Sequence, residues 1–390
     1  MSLETPSKIK TTVPMSAAIL WLAALLTSLG LLTIYAASSM KGAHQFGDSF
    51  LFVKKQVVAA AIGFVMIMLA RKLPFRWIER MTIPVLGLSI LLLILVLIPG
   101  LHARVGGAAR WLNLGFLRFQ PAELAKVALV MFLAKNLSRQ SCNLDDIKRG
   151  LVPNLAVFSL FACLLMLQPD FGSTFLLFVV TFLMLFAAGV SRKFIAVASF
   201  AGLTAVSIAV WMAPYRLRRL TSFLDPWSEI KEGGFQIIQS YLGFQNGGLL
   251  GLGLGESKQK LYFLPEAHTD FILSVVGEEL GLLGVLLVIA VFAYMTYLGF
   301  AVAKIQQHTY RKFLAFGLTA LVSLQAFINI GVTMGLLPTK GMTLPFVSSG
   351  ASSLIIFLTV AGMLSRLSLE TEREPFHELE MVEQSEPIKL

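Results

Sequence analysis

The chain has 390 residues, 56% of them hydrophobic and 14% charged, and its 32 basic and 22 acidic side chains leave a formal charge of +10. A soluble domain carries about 25% charged residues, so this composition excludes a soluble enzyme, and its hydrophobicity excludes a disordered chain. Two cysteines, Cys142 in a polar connection and Cys163 within an apolar run, exclude a disulfide scaffold.

Apolar runs of about 20 residues, long enough to cross a bilayer as helices, recur along the whole chain. They predict an all-α polytopic membrane protein with about ten transmembrane helices, at roughly 15–37, 56–70, 81–99, 121–137, 151–168, 171–190, 194–213, 271–303, 313–337 and 352–367. The first run ends in Tyr35-Ala36-Ala37-Ser38, faintly like a cleavage site, but it is too long for a signal-peptide core and is kept as a span. The organisation that follows is a tail over 1–14, a transmembrane domain over 15–367 and a second tail over 368–390.

Short loops keep their basic residues in the cytoplasm. Lys8 and Lys10, then Arg71, Lys72, Arg76 and Arg80, then Lys135, Arg139, Lys148 and Arg149, then Arg192 and Lys193, then Lys304, Arg311 and Lys312 fall on alternating connections. The chain is therefore expected in the cytoplasmic membrane with both termini on the cytoplasmic side. The acidic, apolar-poor stretch after Arg366 reads as a disordered end.

Three segments are left outside: 100–120, a large loop at 214–270 between the seventh and eighth spans, and 338–351. They carry Arg104, Arg110 and Arg118; Arg216, Arg218, Arg219, Lys231, Lys258 and Lys260; and Lys340. Long loops cross regardless of charge, which accounts for 214–270. Three arginines in the short 100–120 segment instead point to an anionic partner at headgroup height. No basic stripe with interleaved aromatics, finger or helix-turn-helix pattern supports a nucleic-acid partner.

Ionisable residues at membrane depth are costly and mark function by default. Glu123 and Lys126, three apart on one helical face, either pair to join helices or line an aqueous cavity. Asp170, between Pro169 and Gly172, is a turn or cap aspartate or a partner of Lys126. Glu278 and Glu279 begin an over-long run and are expected to project outward or line a cavity. Asp270 sits just before that run, where it is either the helix N-cap or a partly desolvated general base.

Other signals are weaker. Gly251-Leu252-Gly253-Leu254-Gly255 lacks the strand and lysine of a nucleotide loop, and 243–255 reads as a flexible, backbone-exposing segment. The histidines lack ligand spacing, so no His/Cys metal site is expected, while oxygen ligands leave room for a divalent cation, Mg or Mn. Ser348, Ser349, Ser352 and Ser353 lack a nucleophile elbow and suit helix capping. Asp145-Asp146 reads as a solvated loop.

Four stretches carry a family pattern: GAARWLNLGFLRFQPAELAK at 107–126, Gln168-Pro169-Asp170-Phe171-Gly172, KQKLYFLPEAHTDFILSVVGEELG at 258–281, and PTKGMTLPFVSSGASS at 338–353. In this order they resemble the SEDS family of cell-wall proteins (shape, elongation, division, sporulation), over nearly the whole chain, and PEAHTD and PTKG resemble its division branch more than its elongation branch. Ser349 and Ala351 stand where that family usually has tyrosine and glycine, and Tyr262 where many division members have glutamate.

The resemblance implies a peptidoglycan glycosyltransferase that polymerises lipid II at the outer face of the cytoplasmic membrane during septal synthesis. It implies a class B penicillin-binding transpeptidase and other divisome membrane proteins as partners. The family's essential aspartate maps onto Asp270, which would take the proton of the acceptor 4-hydroxyl. Arg104, Arg110, Glu123, Lys126, Asp170, His268, Lys340, Ser348 and Ser352 are the expected substrate-binding set, with His268 orienting the aspartate or touching sugar. The alternatives are a lipid II transporter and a non-enzymatic scaffold for the transpeptidase.

Overall fold

In the computed structural model of the chain, the described residues are 14–105, 108–115, 117–139, 151–211, 214–228, 230, 234–257 and 267–385. Lys8, Lys10, Cys142, Asp145, Asp146, Lys148, Arg149, Lys231, Lys258, Lys260 and Tyr262 lie outside them, as do the side chains of Arg104 and Arg216.

Lipid offers the backbone no hydrogen-bond partners, so apolar runs of this length fold as helices. The helices are α1 (Met15–Phe46), α2 (Leu51–Lys72), α3 (Phe75–Leu97), α4 (Pro121–Arg139), α5 (Val152–Leu167), α6 (Phe171–Ala187), α7 (Arg192–Trp211), α8 (Pro214–Leu224), α9 (Gly234–Gly247), α10 (Ile272–Ile305), α11 (Thr309–Thr333) and α12 (Ala351–Ser385). A helix lies at each of the ten predicted runs. Among the described residues six of these, α1, α2, α3, α10, α11 and the Ala351–Glu370 part of α12, are both long and apolar enough to cross a membrane. α5 and α6 are apolar but shorter.

Residues 102–119 form a three-stranded antiparallel sheet of β1 (His102–Val105), β2 (Ala108–Leu114) and β3 (Leu117–Phe119). The sheet was not foreseen, because its strands are too short to show a period. Its register sets Arg104 opposite Ala109 and Asn113 opposite Arg118.

α12 is central. It runs along α2 and also packs on α1, α4 and α11, while α11 lies against α10, α4 and α6. Small residues allow the close approach that drives helix association in lipid. A Cβ on Gly362 of α12 would stand 2.9 Å from the Ile67 Cα of α2, inside van der Waals contact. The helix continues to Ser385 where a disordered end was expected after 366. Glu, Leu, Met and Arg are good helix formers, and Glu370 is held by Arg311 at 3.1 Å and Arg366 at 3.5 Å.

Two expectations for 243–281 are corrected. α10 is two helices joined at Gly281, whose φ of 67° and ψ of −166° break the ladder. The glycine-rich segment is not a free loop but the patch for that break. Leu252 and Gly253 N–H groups donate to the Glu278 and Glu279 carbonyls (both 3.0 Å), and Leu282 N–H donates to Gly248 O (2.9 Å). Only glycine permits this, since a Cβ on Gly251 or Gly281 would land on the facing backbone. Glu278 and Glu279, expected to face outward or line a cavity, are instead buried. Glu278 accepts from Asn246 (3.3 Å) and from Ser257.

Candidate active site

The site is built where the turn 267–271 meets the connection 334–350 between α11 and α12. Backbone and side-chain hydrogen bonds join the two: Ser349 N–H donates to His268 O (2.9 Å), and Ser348 Oγ donates to Thr269 O (2.5 Å). The same Ser348 hydroxyl accepts from Leu344 N–H (2.8 Å). Gln56 of α2 grips the connection from behind, donating to Ser348 O and accepting from Gly350 N–H, both at 3.2 Å. Phe346 is buried in the left-handed region at φ 66°, a strained backbone for a bulky side chain. A Cβ on Gly30 of α1 would stand 2.6 Å from Val347 O, so this part of the connection rests directly on α1.

Asp270 is not the N-cap of α10. That position is Phe271, whose side chain makes no capping hydrogen bond. The Asp270 carboxyl faces the connection instead, where a Cβ on Gly341 would stand 3.0 Å from its Oδ2. His268 is buried with its ring edge-on to Phe52, centroids 4.9 Å apart. Lys340, half-buried, holds its ammonium over Phe171 (4.5 Å) and Phe175 (4.2 Å) of α6. Burial lowers its pKa to about 8; Asp170 opposes that shift and Arg219 of α8 adds to it.

Asp170 is the N-cap of α6: Oδ1 accepts from Ser173 N–H (3.1 Å) and Oδ2 from Ser173 Oγ (2.7 Å). It does not pair with Lys126, whose ammonium is taken by Glu123 and Gln325. Arg110 of β2 secures the turn, donating from Nε to Gln168 O (3.1 Å) and from Nη2 to Pro169 O.

Glu123 and Lys126 form a buried ion pair at 2.8 Å. Lys126 also donates to Gln325 Oε1 of α11 at 2.6 Å, and Gln325 Nε2 donates to Thr343 O at 3.0 Å. Thr343 and Ser353 hydroxyls share a bond of 2.8 Å. Asn329, one turn along α11, donates from Nδ2 to both Asp270 O (2.9 Å) and Met342 O (2.6 Å). Ser352 accepts from Gln120 N–H (2.9 Å) and donates to Arg118 O (3.0 Å), tying α12 to the end of the sheet.

The structure thus brings Asp270, His268 and Ser348 into one assembly, places Lys340 on the same connection with its ammonium turned to α6, and links Glu123 and Lys126 to it through Gln325. Arg110 and Asp170 shape the neighbouring turn, and Ser352 lies behind it. Arg104 is placed only as a strand position. Gln56, Gln325 and Asn329 were missed, although amides within apolar runs are the same kind of signal as the charges. Among the described residues no three His, Cys, Asp or Glu side chains converge to hold a metal ion.

The same arrangement of segments is found in known proteins. The model of the FtsW, RodA and SpoVE cell cycle protein family matches residues 16–373. The chain belongs to this family. A probable peptidoglycan glycosyltransferase FtsW of Geobacter metallireducens is 42% identical over 92% of the chain and 95% of its own length. One of Escherichia coli O6:H1 is 39% identical over 91% and 86%. Among solved structures, a chain of a peptidoglycan synthase complex that coordinates polymerization and crosslinking is 28% identical, with a TM-score of 0.74 over 91% of this chain and 98% of that one. Thermus thermophilus rod shape determining protein RodA is 26% identical, with a TM-score of 0.67 over 90% and 96%.

Proposed function

We propose that this chain is a peptidoglycan glycosyltransferase that polymerises lipid II at the outer face of the cytoplasmic membrane during septal wall synthesis, working with a class B penicillin-binding transpeptidase and other divisome proteins. The relatives' names support the reaction class, and the complex-forming structural relative supports a crosslinking partner.

The observation that carries the reading is the seating of Asp270. Asp270 is not the N-cap residue of α10, and its carboxyl stands against Gly341 in the connection that also carries Lys340. Lipid II places its reacting carbon at headgroup height, and its pyrophosphate is the leaving group. Asp270 removes the proton from the acceptor 4-hydroxyl, that oxygen attacks the anomeric carbon of the lipid-linked donor, and pyrophosphate departs with the electron pair of the broken bond. Lys340 and the arginines at the same end of the bundle stabilise the negative charge as it develops. The donor is already activated by its lipid, so the reaction needs no nucleotide.

Purified protein, with and without its transpeptidase, is given labelled lipid II in detergent. Glycan polymer from the wild type and none from a well-folded Asp270→Asn supports the reading. Translocation in vesicles without polymer selects a transporter instead, and neither activity selects a scaffold.

A further inference from the structure

Two side-chain amides on one face of α11, Gln325 and Asn329, are both almost fully buried, and both turn their NH₂ groups on the connection next to Asp270. Their orientations are dictated by chemistry. An ammonium has donors only, so Lys126 forces Gln325 to present its oxygen there and its nitrogen to the Thr343 carbonyl. Asn329 faces two carbonyls, those of Asp270 and Met342, which only a nitrogen can satisfy. The Asn329 Oδ1 is buried with no hydrogen-bond partner among the described residues, so this amide is held at its place by its donor side alone.

We propose that Gln325 and Asn329 are positioning residues that clamp Met342 and Thr343 against the Asp270 turn and so fix where the Asp270 carboxyl stands relative to Gly341 and Lys340. Glu123 and Lys126 set the clamp by fixing the Gln325 amide. The proposal deepens the glycosyltransferase reading and rests on it for the meaning of a rate.

The test uses full-length Asn329→Asp and Gln325→Glu, which keep size but replace the clamping donor with an acceptor. Two measurements are made: hydrogen exchange along the purified chain, and kcat and KM for labelled lipid II polymerisation. Residues 340–349 are expected to exchange about tenfold faster in both variants, with α11 unchanged. Polymerisation is expected to lose about tenfold or more in kcat, with KM within about twofold of wild type. Asn329→Gln, which restores a donor on a longer arm, is expected to recover part of the rate. Unchanged exchange in the connection overturns the clamp. Faster exchange with unchanged kcat, or equal loss of protection throughout the chain, overturns the positioning role. Absence of polymer from the wild type itself refutes the glycosyltransferase reading, and the exchange result then judges the clamp by itself.

Discussion

Burial pulls the Lys340 ammonium from an ordinary 10.5 down to about 8, against the attraction of Asp170 and with the repulsion of Arg219. The cation is the dominant form below about pH 8 and is lost as pH rises through that value. Between about 8 and 10.5 the unfolded chain holds a proton that the folded chain has released, so this group makes stability rise with pH there. An activity that needs the cation moves the other way. Polymerisation should therefore decline above about pH 8, and Lys340→Arg, which keeps its charge at every working pH, should move that limb upward. A pH–rate profile with the same limb in both proteins refutes the role. Asp170 makes the opposite case. As a cap it should tolerate Asn, whereas Asp170→Ala should cost about 1 kcal/mol. Thermal unfolding of the two variants checks this, and an Asn variant as unstable as the Ala one would rule out capping as its contribution.

Among elements, α4 and the broken α10 carry the largest stakes. Removing Lys126 alone leaves Glu123 buried without a counter-charge, which costs about 3–5 kcal/mol, while removing both charges is far milder. Lys126→Met is thus expected to unfold at a lower temperature than Glu123→Gln/Lys126→Met. If the double variant is the less stable, the pair is not what holds α4 in place. In α10 the break at Gly281 survives because the 248–253 backbone satisfies the freed groups. Gly251→Ala would place a methyl on Glu279 O at φ 83° and should cost more than the 1–3 kcal/mol or so typical of backbone strain alone. Gly248, at φ 53° with open space around it, should accept Asn, which visits that region. Midpoints measured side by side decide, and equal losses would show that the close approach does not matter.

On the scale of the whole molecule, the helical bundle was legible because hydropathy is local: every predicted apolar run holds a helix. What was not legible was its interruption. The 100–120 strands are too short for a period, and α8 and α9 are too short and polar for a membrane signal. The break in α10 is invisible because glycine in an apolar run reads the same whether helical or not. The expected orientation has its own check. A cysteine placed at Gly248 should react with an impermeant maleimide added outside intact cells, and one at His308 should not. The reverse pattern would invert the topology.

The site divides in the same way. Reading along the chain is enough to find the residues that are chemically out of place: charges at membrane depth, a carboxylate at the edge of a span, and a cation in a short connection. Each is a property of one residue and its neighbours along the chain. Which of them meet is set by the packing of the helices. Asp170 went to Ser173 and not Lys126, Glu278 turned inward to Asn246, and Asp270 left the cap to stand against Gly341. Lys126 reached Gln325, 199 residues away, and Asn329 reached Asp270 across 59. A buried polar atom must find a partner wherever the fold brings one, and that choice depends on helix packing over distances that no local pattern encodes.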